Sequence, residues 1–155
     1  MTDFAAYAGP CWRAVAAGAE SVALVGTIRA GRYNRPGEHS LYMSGSPHAV
    51  AAAMARYGEA PRTVLRLDVQ ADRLVDLRDE DACARLEVDT TGTKKDWIAA
   101  LNAGVEPPSW RASDRARALG ARGLIDRSRR LPGEWHLVLF RWNVEGGAVV
   151  RVGDG

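Results

Sequence analysis

The alternation of apolar and polar positions predicts strands towards both ends of the chain. Residues 136–142 (HLVLFRW) are the most persuasive strand, and residues 63–69 (TVLRLDV) set apolar side chains around Arg66 and Asp68, as a half-buried strand does. Residues 148–152 follow the 146–147 glycine pair and are predicted to pair with strand 136–142. Shorter extended segments are predicted over residues 11–16, 40–44, 74–77 and 123–125.

Capping residues and alanine-rich runs predict helices between these strands. Ser46 is the expected cap and Pro47 the first-turn residue of a helix that Gly58 ends, and Ser113 is expected to cap a later one. The predicted helices cover residues 48–57, 79–86, 95–102 and 113–119, with loops over residues 26–37 and 106–109. Strands at both ends with helices between them indicate an α+β fold rather than a doubly wound one.

Length and composition fit one soluble domain over residues 1–155. The chain is 46% hydrophobic and 26% charged, with a net charge of +2, which excludes a disordered composition. Because no apolar run approaches the roughly 20 residues of a membrane span, and no basic segment precedes an apolar one at the N-terminus, we expect a cytoplasmic protein without membrane attachment. The two cysteines have neither metal-ligand spacing nor a disulfide pattern, so no metal is expected.

Arginine dominates the basic residues. Of the 21 lysines and arginines, only Lys94 and Lys95 are lysines. Arginine presents a planar fork that grips carboxylates and phosphates, although GC-rich coding explains most such biases. The arginines are scattered from Arg13 to Arg151, so we expect no direct binding of nucleic acid, which needs basic residues clustered on one face.

Motifs of common enzyme classes, such as GxxxxGK[ST], HExxH and GxSxG, are absent, and three other stretches carry candidate chemistry. In the GRYN segment at 31–34, the Arg32 guanidinium could grip an anion, and Asn34 could fix the loop or bond a sugar hydroxyl. Tyr42 could stack on a flat ring, and Ser128 lies between two arginines in GLIDRSR. The alternatives are a surface arginine in a turn, a core tyrosine and a solvated basic turn.

In their order and spacing these stretches resemble the RES-domain family, the toxin component of RES–Xre toxin–antitoxin modules. That family shows a GRWN-like segment, a tyrosine in an LY motif, a helix, and a G-(I/L)-x-x-S-x-R stretch before a strand of the NLVLF type. The corresponding segments here are residues 31–34, 41–42, 47–57, 123–129 and 136–140. The resemblance therefore covers nearly the whole chain.

The resemblance implies an ADP-ribosyltransferase-like α+β fold, with mixed sheets and flanking helices, and cleavage of the nicotinamide–ribose bond of NAD without a metal. Carried over by position, Arg32 would hold the NAD phosphates or ribose, with Tyr33 and Asn34 in the same NAD-binding set. Tyr42 would stack on or orient the nicotinamide ribose, and Ser128 would bond the nicotinamide or its ribose.

The resemblance also implies a reaction partner and a protein partner. ADP-ribose would pass to a target protein; the alternatives are release to water or phosphate by an NAD-depleting glycohydrolase or phosphorylase, or an NAD-binding module without turnover. An Xre-type helix-turn-helix antitoxin would cover the NAD cleft.

The chain departs from the family at one position. The family's glutamate follows the tyrosine on the next helix, where this chain has Ala53, and no acid occurs between Glu38 and Glu59. Three explanations remain open: a natural variant that uses another acid, such as Glu59 or Glu38, a pseudoenzyme, or an engineered Glu-to-Ala form of a toxic protein. Losing a charge that stabilises a developing cation commonly costs about 10²–10³ in rate.

Overall fold

Six strands and four α-helices form the part of the chain that the computed structural model describes, residues 3–58 and 60–153. The strands are β1 (Ala5–Ala16), β2 (Leu41–Ser44), β3 (Arg62–Asp76), β4 (Gly123–Arg127), β5 (Trp135–Leu139) and β6 (Val149–Val152). The helices are α1 (Pro47–Met54), α2 (Glu80–Arg85), α3 (Trp97–Asn102) and α4 (Trp110–Ala118), with 3₁₀ turns at Glu20–Val22 and Ala55–Tyr57. None of the helices described is long and apolar enough to span a bilayer.

The strands form one mixed sheet that closes on itself. Its order is β1-β2-β5-β4-β3-β6, and β1 also pairs with β3 along most of its length. The pairing of β3 with β4 is parallel, and the other strand pairs are antiparallel. This arrangement confirms the predicted α+β class with a mixed sheet and flanking helices.

Two hydrophobic clusters lie on opposite faces of the sheet. The first draws buried side chains from all six strands, including Cys11, Leu67 and Val150. The second covers the outer face of β3, β4 and β5, where Val75, Leu124 and Val138 meet side chains of α4 and of the loop before β2. Since alternate residues of a strand point to opposite faces, each of these strands contributes to both clusters.

One strand replaces two that the sequence predicted separately. The segments 63–69 and 74–77 belong to the continuous strand β3. Residues 70, 72 and 73 are polar, but Ala71 between them is buried, so the alternation continues as far as residue 72. Arg73 adopts a positive φ of 51° near the point where the register between β1 and β3 shifts. A local irregularity therefore interrupts the pattern without ending the strand.

The predicted hairpin between residues 136–142 and 148–152 is wrong. Strand β5 ends at Leu139 and pairs with β2 on one side and β4 on the other, so neither edge is left for β6. Strand β6 instead pairs with β3. On the other edge of β6, the Asn143 amide both donates to the carbonyl of Val150 and accepts from its N–H, which blunts that edge.

The residues at the N-termini of α1 and α4 show where each helix begins. Ser46 caps α1 as predicted, accepting from the Ala49 N–H at 3.1 Å, and Pro47 is its first residue. Helix α4, by contrast, begins at Trp110 with Ser109 as its N-cap residue. Ser113 lies inside α4 and donates to the Trp110 carbonyl, so the predicted start at Ser113 is wrong. The hydroxyl of a serine inside a helix can donate to a carbonyl of the preceding turn. The sequence alone does not distinguish such a serine from an N-cap residue.

Candidate active site

The floor of a cavity of about 480 Å³ is built by alternate residues of β2, β5 and β4. Ser44 lies opposite His136, which in turn lies opposite Asp126, and Tyr42 lies opposite Val138 in the next row on the same face. Side chains two residues apart on a strand share a face. The register of three strands therefore places these five residues in the cavity lining.

The GRYN loop forms one wall and is held from behind by α4. The Trp110 indole N–H donates to the Gly31 carbonyl at 2.8 Å, and the Ser109 hydroxyl donates to the Arg32 carbonyl. A Cβ on Gly31 would lie 2.7 Å from the Tyr42 hydroxyl oxygen, so only glycine allows this close approach. The loop is thus fixed by side chains of a distant part of the chain, which the loop sequence does not reveal.

Arg32 and Tyr33 both line the cavity. The Arg32 guanidinium donates to the carbonyls of Thr93 and Lys95, at 3.1 and 2.9 Å, and so ties the loop to the segment before α3. Tyr33 is buried, and its hydroxyl donates to the Asp126 carboxylate. Burial and the neighbouring Asp126 charge raise the pKa of Tyr33 well above its usual value, which keeps the phenol neutral.

Asn34 supports the loop from outside the cavity. Its side chain is fully buried, its amide nitrogen donates to the Arg29 carbonyl at 2.7 Å, and its oxygen accepts from the Tyr42 hydroxyl at 2.7 Å. It is not among the residues that line the cavity. Of the two roles considered from the sequence, loop fixing is the one that this geometry shows, whereas a place for Asn34 in the NAD-binding set stays a prediction.

Tyr42 presents its ring rather than its hydroxyl. The hydroxyl accepts from the Tyr33 N–H at 3.0 Å and donates its proton to Asn34, so it has no proton left to donate to a ligand. Burial raises the pKa of Tyr42 above its usual value. A neutral tyrosine held at its tip is suited to offer its face to a ligand in the cavity.

Ser128 lies just beyond β4 and also lines the cavity. Its backbone N–H donates to the Glu134 carbonyl at 2.9 Å, and its hydroxyl oxygen accepts from the Leu131 N–H at 3.2 Å. These bonds hold the turn and leave the hydroxyl proton for another acceptor. The residues Arg32, Tyr42 and Ser128, far apart in sequence, therefore share one cavity.

The wall formed by α1 carries no charge. Ala53 lines the cavity together with Val50 and Met54, at the position where the resemblance expects a glutamate. Glu38 does not replace it, because its carboxylate accepts from the Arg35 N–H at 2.6 Å and lies outside the lining. Glu59 lies outside the described residues.

The charged lining is mostly arginine. Among the described residues that line the cavity, Asp126 is the one carboxylate, whereas the guanidinium groups come from Arg13, Arg29, Arg32, Arg129 and Arg130. Such a site attracts an anionic ligand. The sequence pointed to Arg32, and Arg129 is one of the two arginines that flank Ser128 in the GLIDRSR stretch. The cluster of arginines in residues 26–37 was the available signal for Arg29, and no local pattern marked Arg13.

Sequence reasoning also missed the lining residues Asp126 and His136. The His136 Nδ1 shares a hydrogen bond of 2.7 Å with the Ser44 hydroxyl, which lies opposite it on β2. Burial lowers the pKa of His136, so the imidazole is neutral near pH 7. Cross-strand register brings both residues into the cavity, and register is not visible in local patterns.

Neither a reactive cysteine nor a metal-binding cluster is found among the described residues. Burial raises the pKa of the Cys11 thiol to about 12 and that of Cys83 to about 11, so neither is an activated nucleophile. No group of three histidine, cysteine or acidic side chains among residues 3–58 and 60–153 is arranged to hold a metal ion.

Comparison with known proteins identifies the family to which the chain belongs. No curated protein matches the sequence. The crystal structure of the M. tuberculosis MbcT–MbcA toxin–antitoxin complex contains a similar chain, with a TM-score of 0.56 and 15% sequence identity over 96% of this chain and 84% of that one, which shows a shared fold. The model of the RES domain matches residues 10–154. The chain therefore belongs to the RES domain family.

Proposed function

We propose that this protein is the toxin of a bacterial toxin–antitoxin pair and that it cleaves the nicotinamide–ribose bond of NAD in this cavity. The observation that carries the proposal is the meeting of Arg32, Tyr42 and Ser128 in one arginine-rich cavity. These are the residues to which the family resemblance assigned NAD binding and cleavage.

The cavity suits a dinucleotide in size and charge. Its volume of about 480 Å³ lies within the usual range of small-molecule sites. Pyrophosphate needs cationic forks, which arginine supplies better than lysine. Arg29 and Arg130 are exposed residues of the lining and are suited to the phosphates, while Arg32, in the same lining, is held by the carbonyl oxygens of Thr93 and Lys95.

Cleavage of the bond depends more on orientation and charge than on a strong base. Glycosidic cleavage passes through an oxocarbenium-like state, in which positive charge develops on the ribose. The bond between C1′ and the nicotinamide nitrogen breaks, and its electron pair leaves with nicotinamide. The acceptor then bonds to C1′ and loses its proton. In this scheme the Tyr42 ring orients the ribose, and Ser128 donates to the nicotinamide amide or the ribose.

The proposed acceptor is a target protein, and the proposed regulator is an Xre-type helix-turn-helix antitoxin that covers the cavity. The structural neighbour named above was crystallised as a toxin–antitoxin complex, which supports the partnership. A toxin that consumes NAD and is restrained by a DNA-binding partner would act in the cytoplasm. A second candidate, an NAD-binding module without turnover, is favoured by the alanine at position 53.

The test follows nicotinamide release from NAD by the chain and by its Ala53→Glu variant. We expect both to release nicotinamide, the variant at least about tenfold faster, because a carboxylate on α1 would stabilise the developing cation. NAD labelled in the adenosine half shows whether ADP-ribose reaches proteins of a lysate, water or phosphate.

The alternatives give different results. Binding of NAD in calorimetry without nicotinamide release from either form would favour the binding module. Absence of both binding and release in both forms would contradict the proposed function.

A further inference from the structure

The proposed reaction needs a negative charge near the ribose, and the cavity contains one candidate for it. The α1 wall offers only Ala53 and its apolar neighbours, and the carboxylate of Glu38 lies outside the lining. Asp126 is the one acidic residue among the described residues that line the cavity. It was not among the substitutes considered from the sequence, because nothing in the local pattern of residues 123–129 distinguishes it from a turn residue.

The Asp126 carboxylate is held in a fixed orientation. One oxygen, Oδ2, accepts from the Tyr33 hydroxyl and from Arg129 Nη1, the latter at 2.9 Å. The other, Oδ1, accepts from the Arg127 N–H at 2.9 Å. Fixed groups that need no reorganisation are the ones that stabilise developing charge most effectively. The residue is 7% exposed, so solvent does little to weaken its field.

The ion pair with Arg129 offsets part of this field, and the carboxylate is the more buried of the two groups. The Arg129 side chain is 26% exposed and that of Asp126 is 9% exposed, so water screens the guanidinium more than the carboxylate. His136, opposite Asp126 on β5, has its pKa lowered by burial and adds no positive charge at neutral pH. Asp126 is therefore the one carboxylate that the described lining offers, with the arginines around it.

We propose that Asp126 is the carboxylate that stabilises the ribosyl cation as nicotinamide leaves, in place of the acid that α1 lacks. The inference rests on the proposed function, since it concerns the same cavity and the same reaction. It predicts that the chain is active with alanine at position 53, and that a carboxylate at position 53 and the one at 126 can substitute for each other in part.

A double-mutant cycle with Asp126→Asn and Ala53→Glu tests this prediction. Asparagine keeps the shape and one acceptor oxygen but removes the charge. With alanine at 53, we expect Asp126→Asn to slow nicotinamide release by about 10²-fold, and with glutamate at 53 by less than about tenfold. Asp126→Glu, which keeps the charge, should retain release within about tenfold of the parent.

The matched control is Asp76→Asn. Asp76 lies at the end of β3, forms a comparable ion pair with Arg78 at 2.9 Å, and does not line the cavity. We expect its loss to leave nicotinamide release within about threefold of the parent, because Asp76 lies outside the cavity. Thermal unfolding of every variant checks that each is folded at the assay temperature.

The outcomes separate the inference from the proposed function. An equal loss from Asp126→Asn in both backgrounds would show a structural role and overturn the inference, as would no loss in either. If only the Ala53→Glu form releases nicotinamide, the proposed function stands and the role of Asp126 is refuted. If no form releases nicotinamide, the proposed reaction and the inference fail together.

Discussion

A chain of hydrogen bonds links Asn34, Tyr42 and Tyr33. The role of each residue at the cavity depends on these bonds and not on its residue type alone. All three belong to the motifs that resemble the family. The structure makes Asn34 a support for the loop, gives the Tyr42 ring to the cavity, and joins the Tyr33 hydroxyl to Asp126. The roles follow from which atoms find partners inside the protein, because a buried polar group without a partner is costly.

His136 predicts a pH dependence of stability at the residue scale. In the unfolded chain its pKa is about 6.5. Burial lowers the folded-state value, so in this window the unfolded chain binds more protons than the folded one. The contribution of the neutral His136 imidazole to the free energy of unfolding is therefore complete above about pH 6.5, and it is lost as the pH falls towards the folded-state pKa. Chemical denaturation of the parent and of His136→Asn between pH 5 and pH 8 should show a loss towards acid in the parent that is smaller in the variant.

The charged neighbours of His136 set the size of this effect. Asp126 and Glu134 favour the protonated ring, whereas Arg129 and Arg32 oppose it. His48, exposed on α1, provides the matched control. The His48→Asn variant should keep the acid-side loss of the parent, and the same flattening in both variants would contradict the assignment to His136.

At the scale of elements, α4 positions the cavity wall. Its first residue, Trp110, is buried and bonds the Gly31 carbonyl, and the guanidinium of Arg35 lies over its ring at 4.9 Å. The helix does not itself line the cavity. Its contribution to ligand binding is therefore indirect, through the loop that carries Arg32.

Trp110→Phe tests this indirect role. Phenylalanine keeps most of the packing but leaves the Gly31 carbonyl without its donor, so the free energy of unfolding should fall by about 1–3 kcal/mol. Calorimetry should show affinity for NAD lower by about tenfold, since the loop loses its anchor.

Trp142→Phe is the matched control for the same change. The Trp142 indole donates to the Leu24 carbonyl, also at 2.8 Å, and Trp142 does not line the cavity. We expect a similar loss of stability with NAD affinity within about twofold of the parent, as for independent sites. Equal losses of affinity in both variants would show that destabilisation alone weakens binding.

Element positions were predictable from the sequence, and their pairing was not. Strands were expected at or near all six observed strands, because alternation and turn residues are local signals. The partner of β6 was predicted wrongly, since the sequence does not show that β2 and β4 already occupy both edges of β5. Likewise, the two predicted segments of β3 form one strand, because β1 pairs with it up to Leu74 and β4 pairs with residues 74–76.

At the scale of the whole molecule, a nearly neutral protein holds a local cationic site. The net charge of +2 reflects arginines spread over the surface, many of them in ion pairs. In the cavity the balance differs, with five arginines and one aspartate in the lining. The fold therefore gathers a local excess of positive charge that the nearly neutral composition does not reveal.

Salt dependence of binding tests this local site. Because salt screens exposed charges beyond about 10 Å at 0.1 M, affinity for ADP-ribose should fall by about tenfold as the salt concentration rises from about 0.05 to 0.5 M. Adenosine carries no phosphate, and its affinity should change by less than about twofold. Calorimetry at both salt concentrations measures each ligand. An equal change for both ligands would contradict an arginine site for the pyrophosphate.

The sequence by itself determined the α+β class, the main helices and strands, and the RES-domain motifs with Arg32, Tyr42 and Ser128, because capping, alternation and motif order are local properties of the chain. Only the tertiary structure decided that the sheet closes through β1 and β3, that Asn34 is withdrawn behind the cavity, and that Asp126 and His136 enter it. The physical reason is strand register, which sets residues distant in sequence side by side and assigns each side chain to one face.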